Sequence, residues 1–505
     1  PHSEAQPSHF RVYYSEDEFF DSNDYALPVS ELKPGHHAIK VSAIYPDGES
    51  IAVGPVWVFN KGEIVIIEDA AVLAAINTTL HRDTSLLLSS QSIYQGDLAL
   101  IRELSISEAI GSSEIFQYFI NIQGISLNAL NLNSQDLEFL EECNSLQSFT
   151  LSNWNEGLFS EITLPDNLVT LKLESGNLDQ SDFLDSIDHL FELKLHDVEV
   201  PEYVFKENKE DMTVLSLTDI PISNLDFLSS CPNLFYLHLS GNQITELSVP
   251  QALSKVQVLI VENNNLSSTD FLSSFPNVSD ISLRNNQISQ LSLHTPLKQL
   301  KYLDAGNNSI NKVTIAFDFP LIKKIQLDNN HLHEIPDFFS YLPVLEELIL
   351  NNNEIRTLLK RASHSLKKLD VSSNKIVNLS SVVHYQRLQV LILSDNFISD
   401  YSPLLENDFY RQLKLLDIRN TPVSIQSYNT CIPEFGGGNR VFLSSQGYEP
   451  RSPCYPTPIH GSQLSNYEMN FTWSSEYTGE DVQYDFLLAS GDSLLVVESG
   501  LTRPE

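Results

Sequence analysis

The sequence predicts an α/β solenoid: a curved, right-handed stack of short repeats with a parallel β-sheet on its concave face, flanked at both ends by all-β, sandwich-like modules. Three observations predict it. An eleven-residue frame, LxxLxLxxNxL, recurs through the middle of the chain. Asparagine fills one column of that frame eight times, at Asn242, Asn264, Asn286, Asn308, Asn330, Asn353, Asn374 and Asn396, spaced 21 to 23 residues apart. Outside the frame the periodicity changes, first to a helical spacing and then to alternating β-like runs.

From the N-terminus, residues 1–62 read as β-sandwich-like. FRVYY, HHAIKVSAIYP and IAVGPVWVFN alternate apolar and polar residues and are broken by turn signals such as PDG at 46–48. Residues 63–121 read as a helical N-terminal cap with a degenerate first repeat. Val72, Leu73, Ile76 and Leu80 recur at helical spacing, and IRELSISEAIG follows at 101–111. A solenoid exposes apolar surface at its ends, so a cap is required there.

Residues 122–425 carry the repeats. The best-formed run begins LFYLHLSGNQI at 234 and ends LQVLILSDNFI at 388. Weaker units precede it, from IQGISLNALNL at 122, and LKLLDIRNTPV at 413 closes it. Within LxxLxL the alternation gives a short strand with one buried face. No single unit can bury its apolar row alone, so neighbours must stack. The Asn side chain can satisfy backbone groups where the chain leaves the strand. Residues 426–455 read as a C-terminal cap and linker rich in Gly, Pro and Ser. Residues 456–505 return to β-like runs, NFTWSS, VQYDFLLA and SLLVVESGL.

Composition narrows the function. The chain has 505 residues and a formal net charge of −36, from 66 acids against 30 bases. That balance argues against nucleic acid or an anionic membrane as partner, because phosphates are repelled. No apolar run approaches the ~18 residues of a membrane-spanning helix. There is no GxGxxG, P-loop, HExxH, GxSxG or CxxC, and neither a catalytic cluster nor a metal or cofactor site is expected. The acidic DSND at 21–24 reads as a solvated turn, and His331 and His333 as surface histidines. Of the four cysteines, Cys143 and Cys231 occupy one slot of two repeats and read as buried thiols. Cys431 and Cys454 lie together after the last repeat, where a disulfide would staple a terminal cap.

The repeats resemble the 22-residue leucine-rich repeats of bacterial surface proteins of the internalin type. The cap adds to the resemblance through Ile67, Asp69, Ala70, Ala75 and Ile76, then Asp97, Leu98, Ala99, Ile101, Leu104 and Ile106. The flanks resemble fibronectin type III or related immunoglobulin-like modules, each shorter than a complete sandwich of ~100 residues. The resemblance implies an exported, non-catalytic scaffold that binds a protein or glycan partner on its concave face. The same repeat also occurs in intracellular scaffolds and enzyme-regulatory subunits, so the compartment stays open.

On the concave face, the residues between the leucines form outward rows. Tyr236, His238, Val258 and Ile260 fall on adjacent strands, with Tyr302 two strands on. These five are the candidate partner-binding residues, because interface anchors favour Tyr and apolar outward positions call for a reason.

Overall fold

The computed structural model describes residues 64–435 apart from 81–92, 111–113, 160–161, 179–181, 188, 201–203, 206–207, 223 and 361–363, together with the backbone of short strands on either side. The chain divides into two compact units, 1–220 and 221–505.

In the first unit, Asp69 opens the helix Ala70–Thr79 by accepting hydrogen bonds from the amides of Ala71 and Val72 at 2.9 and 3.2 Å. Val72 and Ile76 lie one turn apart and are both fully buried, on the face that packs against the strand Glu103–Ala109. That strand pairs in parallel with Gly124–Asn128, with a register irregularity between Ile106 and Ala109. Four further strands continue the parallel register: Ser148–Trp154, Thr170–Asn177, Glu192–Glu199 and Val214–Thr218. Leucines at 171, 173, 193, 195, 215 and 217 point inward and are completely buried. Each such side chain contributes ~1.5–3 kcal/mol.

The second unit stacks nine strands of three residues each in parallel, from Tyr236–His238 to Leu415–Asp417. A separate two-stranded parallel pair, Gln290–Leu293 with Lys312–Ile315, forms on the return side of its repeats. Short 3-10 turns fill the return elsewhere, as at Asp226–Ser230 and Asp270–Ser274, both DFLSS.

The strands differ in length for a reason visible in the frame. In the first unit the column that holds Asn elsewhere is filled by Trp154, Gly176, Val198 and Ile220, and pairing continues past it, Trp154 to Gly176 to Val198. The Trp154 ring occupies the room that Gly176 leaves, since a Cβ there would sit 2.1 Å from it. In the second unit the Asn side chain takes the carbonyls instead, and the ladder stops after three residues.

From the strand Ser148–Trp154 onward, each repeat turns at the residue before that column. Asn153, Ser175, Asp197, Asp219, Asn263, Asn285, Asn307, Asn329, Asn352, Ser373, Asp395 and Asn420 all have φ between 50° and 56° or close above it. Asn, Asp and Ser tolerate this left-handed conformation best after glycine, and Gly241 takes the same place at φ 75°. The doubled Asn-Asn of the best repeats therefore splits into two roles, one residue turning the chain and the next bonding it.

In the flanks the backbone is antiparallel. Gly35–Tyr45 pairs with His9–Tyr13, Gly48–Ser50 and Trp57–Lys61, and Tyr484–Ser490 pairs with Ser493–Leu501. Most of the predicted linker, 436–453, lies outside the described residues.

Candidate partner-binding face

The Asn column is built as a continuous hydrogen-bonded ladder. Asn308 donates through Nδ2 to the carbonyls of Leu283, Ala305 and Gly306 at 3.0, 3.2 and 3.1 Å, and its Oδ1 accepts from the Ile288 amide at 3.0 Å. Asn264, Asn286, Asn330, Asn353, Asn374 and Asn396 repeat this pattern. Asn242 is buried at the head of the column, and its amide donates to Asn264 Oδ1 at 3.1 Å. Each side chain joins its own turn to the preceding repeat, which holds the strands in register and the outward rows in line.

Alternation along each strand then sets the outward face. Tyr236 pairs with Val258 and His238 with Ile260, so these four side chains lie side by side, all half-buried. The Tyr236 ring meets His238 edge-on, with centroids 6.3 Å apart. His238 Nε2 lies 2.9 Å from Ser240 Oγ, which also accepts from the Glu262 amide. Tyr302 is in the same row as Tyr236 and Val258 but is separated from them by Asp280. The structure thus brings four of the five predicted residues together and sets Tyr302 in a different environment.

That environment is a charged network to which the sequence reading assigned no role. Arg284 Nη1 reaches Asp304 at 3.1 Å and Asp328 at 3.0 Å, and its Nη2 closes a second bond to Asp328. Asp328 stands 44 residues away, two strands further on. Asp304 also accepts from the Tyr302 hydroxyl at 3.3 Å, Gln326 Nε2 at 2.9 Å and the Gly306 amide at 2.9 Å. Both carboxylates are only 5% exposed. Arg284 crosses over Gly306, where a Cβ would lie 2.2 Å from its Nη1. The bond to Asp328 holds the guanidinium protonated well above its ordinary range. Burial, together with the nearby Asp304 carboxylate, pushes the Tyr302 hydroxyl up to about 12, and Lys324 sits 5.5 Å from the ring centroid. One signal could have found this site: the column Ser240, Glu262, Arg284, Gly306, Asp328 places a base and an acid on either side of a glycine.

No cluster of three or more His, Cys, Asp or Glu side chains among the described residues could hold a metal. His331 and His333 both flank Glu354 at 3.8 and 3.7 Å, where Lys375 already occupies the carboxylate at 2.8 Å. Cys143, Cys231 and Cys431 are buried, with no disulfide among the three. The side chain of Cys454 lies outside the described residues, and with it the expected pairing to Cys431. No described helix is long and apolar enough to cross a membrane.

Parallel strands at one per 22 residues, an Asn ladder and an open outward sheet face define a leucine-rich-repeat solenoid. A family model described as leucine rich repeat matches residues 320–376. A leucine-rich-repeat protein of Leptospira interrogans is 20% identical, with 69% of this chain and 97% of that one covered at a TM-score of 0.54. The functional domain of InlJ from Listeria monocytogenes is 18% identical, covering 72% of this chain and 78% of that one at a TM-score of 0.50. An internalin, InlF, from the same species is 18% identical over 75% and 97%, at 0.42. No curated protein sequence matches the chain.

Proposed function

We propose that the chain is a non-catalytic binding scaffold that holds a macromolecular partner on the outward face of its second-unit sheet. The observation that carries this is the contiguous half-buried patch of Tyr236, His238, Val258 and Ile260, which the strand register aligns side by side. Rigid strands supported by a satisfied ladder present such residues at low entropic cost to a partner. The setting we propose is an exported cell-surface adhesion or recognition module, as the resemblance of the repeats and of the Ile67–Ile106 segment to surface proteins implies. In this reading residues 63–121 are the N-terminal cap, 426–455 the C-terminal one, and the flanks fibronectin type III-like modules.

The test is affinity capture with the intact chain, identification of what binds, and repetition with single variants. Tyr236→Ala and Tyr302→Ala are each expected to weaken binding by at least about tenfold, or ~1.4 kcal/mol. Circular dichroism of Tyr236→Ala should match the parent, since the ring faces away from the leucine core. Tyr302→Phe separates the ring from its hydroxyl bond to Asp304. If both alanine variants fold and bind like the parent, the patch is ordinary surface.

A second reading is an intracellular scaffold or enzyme-regulatory subunit, in which Cys431 and Cys454 stay reduced. Thiol titration under denaturing, non-reducing conditions separates the two. Two reactive thiols of four support a Cys431–Cys454 bridge and export, and four support the intracellular setting.

A further inference from the structure

The strand starts of the second unit carry a stripe of net positive charge. Consecutive backbone bonds run from Lys323 to Lys301, Glu346 to Lys323, Lys367 to Glu346, Gln389 to Lys367 and Lys414 to Gln389, so these residues form one row at the strand starts. In the next row inward stand Tyr302, Lys324, Glu347, Lys368, Val390 and Leu415. Six lysines against two glutamates give these two rows a net charge of +4, in a chain whose total is −36.

The two glutamates are spent within the stripe, Glu346 on Lys367 at 2.9 Å and Glu347 on Lys324 at 3.8 Å. Lys301, Lys323, Lys368 and Lys414 have no acidic partner among the described residues. At the other end of the same strands four carboxylates face two arginines, a balance of −2. Asp304 and Asp328 hold Arg284, Asp417 holds Arg419 at 2.8 Å, and Asp370 accepts from the Ser372 amide and hydroxyl at 3.0 and 2.7 Å. Positive charge is therefore concentrated at the strand-start edge, +4 there against −2 at the other end of the strands. Solubility does not account for it, because an acidic chain gains nothing in solvation from local cations that reduce its net charge.

We propose that this stripe is the docking surface for an acidic peptide segment of a partner protein, laid along the stack across the strand starts. The inference rests on the reading of the outward face as the binding surface, and it names the partner's chemistry. From the strand of Lys301 to that of Lys414 are five inter-strand steps, ~24 Å at ~4.8 Å each, which an extended peptide of about seven residues spans. Tyr302, Val390 and Leu415 beside the lysines, with Ile349 and Ile392 one row further in, meet apolar side chains of the same segment. A sulfated glycan or nucleic acid has no such apolar side chains and continues past the stripe onto a strongly acidic molecule, which repels it.

The test uses the full chain and a fluorescein-labelled peptide of three Glu-Glu-Leu triplets, at an ionic strength of about 0.01 M where screening is weak. The parent should bind it, less tightly as salt is raised. The variant Lys301→Glu/Lys323→Glu/Lys368→Glu/Lys414→Glu should bind at least about tenfold more weakly. A control with the same charge change elsewhere, Lys255→Glu/Lys312→Glu/Lys360→Glu/Lys375→Glu, should bind nearly as well as the parent. No binding by the parent, or equal weakening in the control, overturns the proposal. So does a heparin-derived octasaccharide that binds tighter than the peptide and depends on the four lysines. If the captured partner is lost by Tyr236→Ala but kept by the four-lysine variant, the stripe fails and the binding face stands. The opposite pattern leaves the stripe and removes the apolar patch.

Discussion

Asn308→Asp is expected to be among the most damaging single substitutions in the second unit. The change is nearly isosteric, and the acid can still accept from the Ile288 amide. What it loses is the amide nitrogen that donates to the carbonyls of Leu283, Ala305 and Gly306. An ionised carboxylate would instead point at three carbonyl oxygens in a site only 8% exposed. Leaving a buried polar group unsatisfied costs ~1–3 kcal/mol, and adding a charge costs more, so about 4 kcal/mol or more is expected at neutral pH. Asn308→Ala removes the same bonds without the charge and should cost about 3 kcal/mol. Asn265→Asp, on a half-buried side chain one frame position after the column whose hydrogen bonds lie at the surface, should stay within ~0.5 kcal/mol. Because stacked repeats unfold piecewise, the measurement is hydrogen exchange of the amides over 283–310, supported by urea unfolding. Parent-like protection in Asn308→Asp would mean that the ladder follows the fold and does not hold it.

The ladder was legible in the sequence because its signal is a column: eight asparagines in register identify both the turn and its bonding group. The strand starts and inward leucines followed from alternation, and the degenerate unit at 101 proved to pair as the first strand, Glu103–Ala109. The division of labour in Asn-Asn was not legible. Asn263 and Asn264 are identical in type, and only backbone geometry shows that the first turns at φ 52° and the second bonds. The shared patch of Tyr236, His238, Val258 and Ile260 followed from register, as did the place of Tyr302 two strands on, whereas the charged surroundings of Tyr302 did not. Its neighbours Arg284 and Asp304 lie 18 residues before it and two after, and the link to Asp328 spans two strands. Pairwise alternation finds neighbours on one strand or the next. A side chain that reaches over an intervening strand is found only by reading a whole column for size as well as charge, and here the size that matters is that of Gly306.

That glycine carries the second large effect. Arg284 reaches Asp328 only because nothing projects from position 306, where an added Cβ would meet Nη1 at 2.2 Å, Cζ at 2.8 Å and Asp328 Oδ1 at 2.7 Å. The first two are on a flexible side chain, so Gly306→Ala should fold with the guanidinium displaced. Asp328, 5% exposed, then loses its cation. Breaking a buried pair by removing one partner costs ~3–5 kcal/mol. Arg284 is itself a quarter exposed, which lets water re-enter and puts the expectation near the lower figure, about 3 kcal/mol. Arg284→Met should cost about as much, since it strands Asp304 as well but keeps apolar packing over the glycine. The double variant decides the mechanism. If the glycine serves only to let the arginine pass, Gly306→Ala in the Arg284→Met background costs little more than Arg284→Met alone, a coupling of about 2 kcal/mol or more between the two positions. Additive losses would mean instead that Gly306 matters to the turn at Asn307 and not to the charge that crosses it. Tyr302 supplies an independent reading of the same event. Burial and Asp304 push its hydroxyl up to about 12, and the nearby Arg284 charge holds it down, so an absorbance titration of Gly306→Ala should show that group shifted further up relative to the parent, and an unchanged curve would place the Arg284 network intact across an alanine.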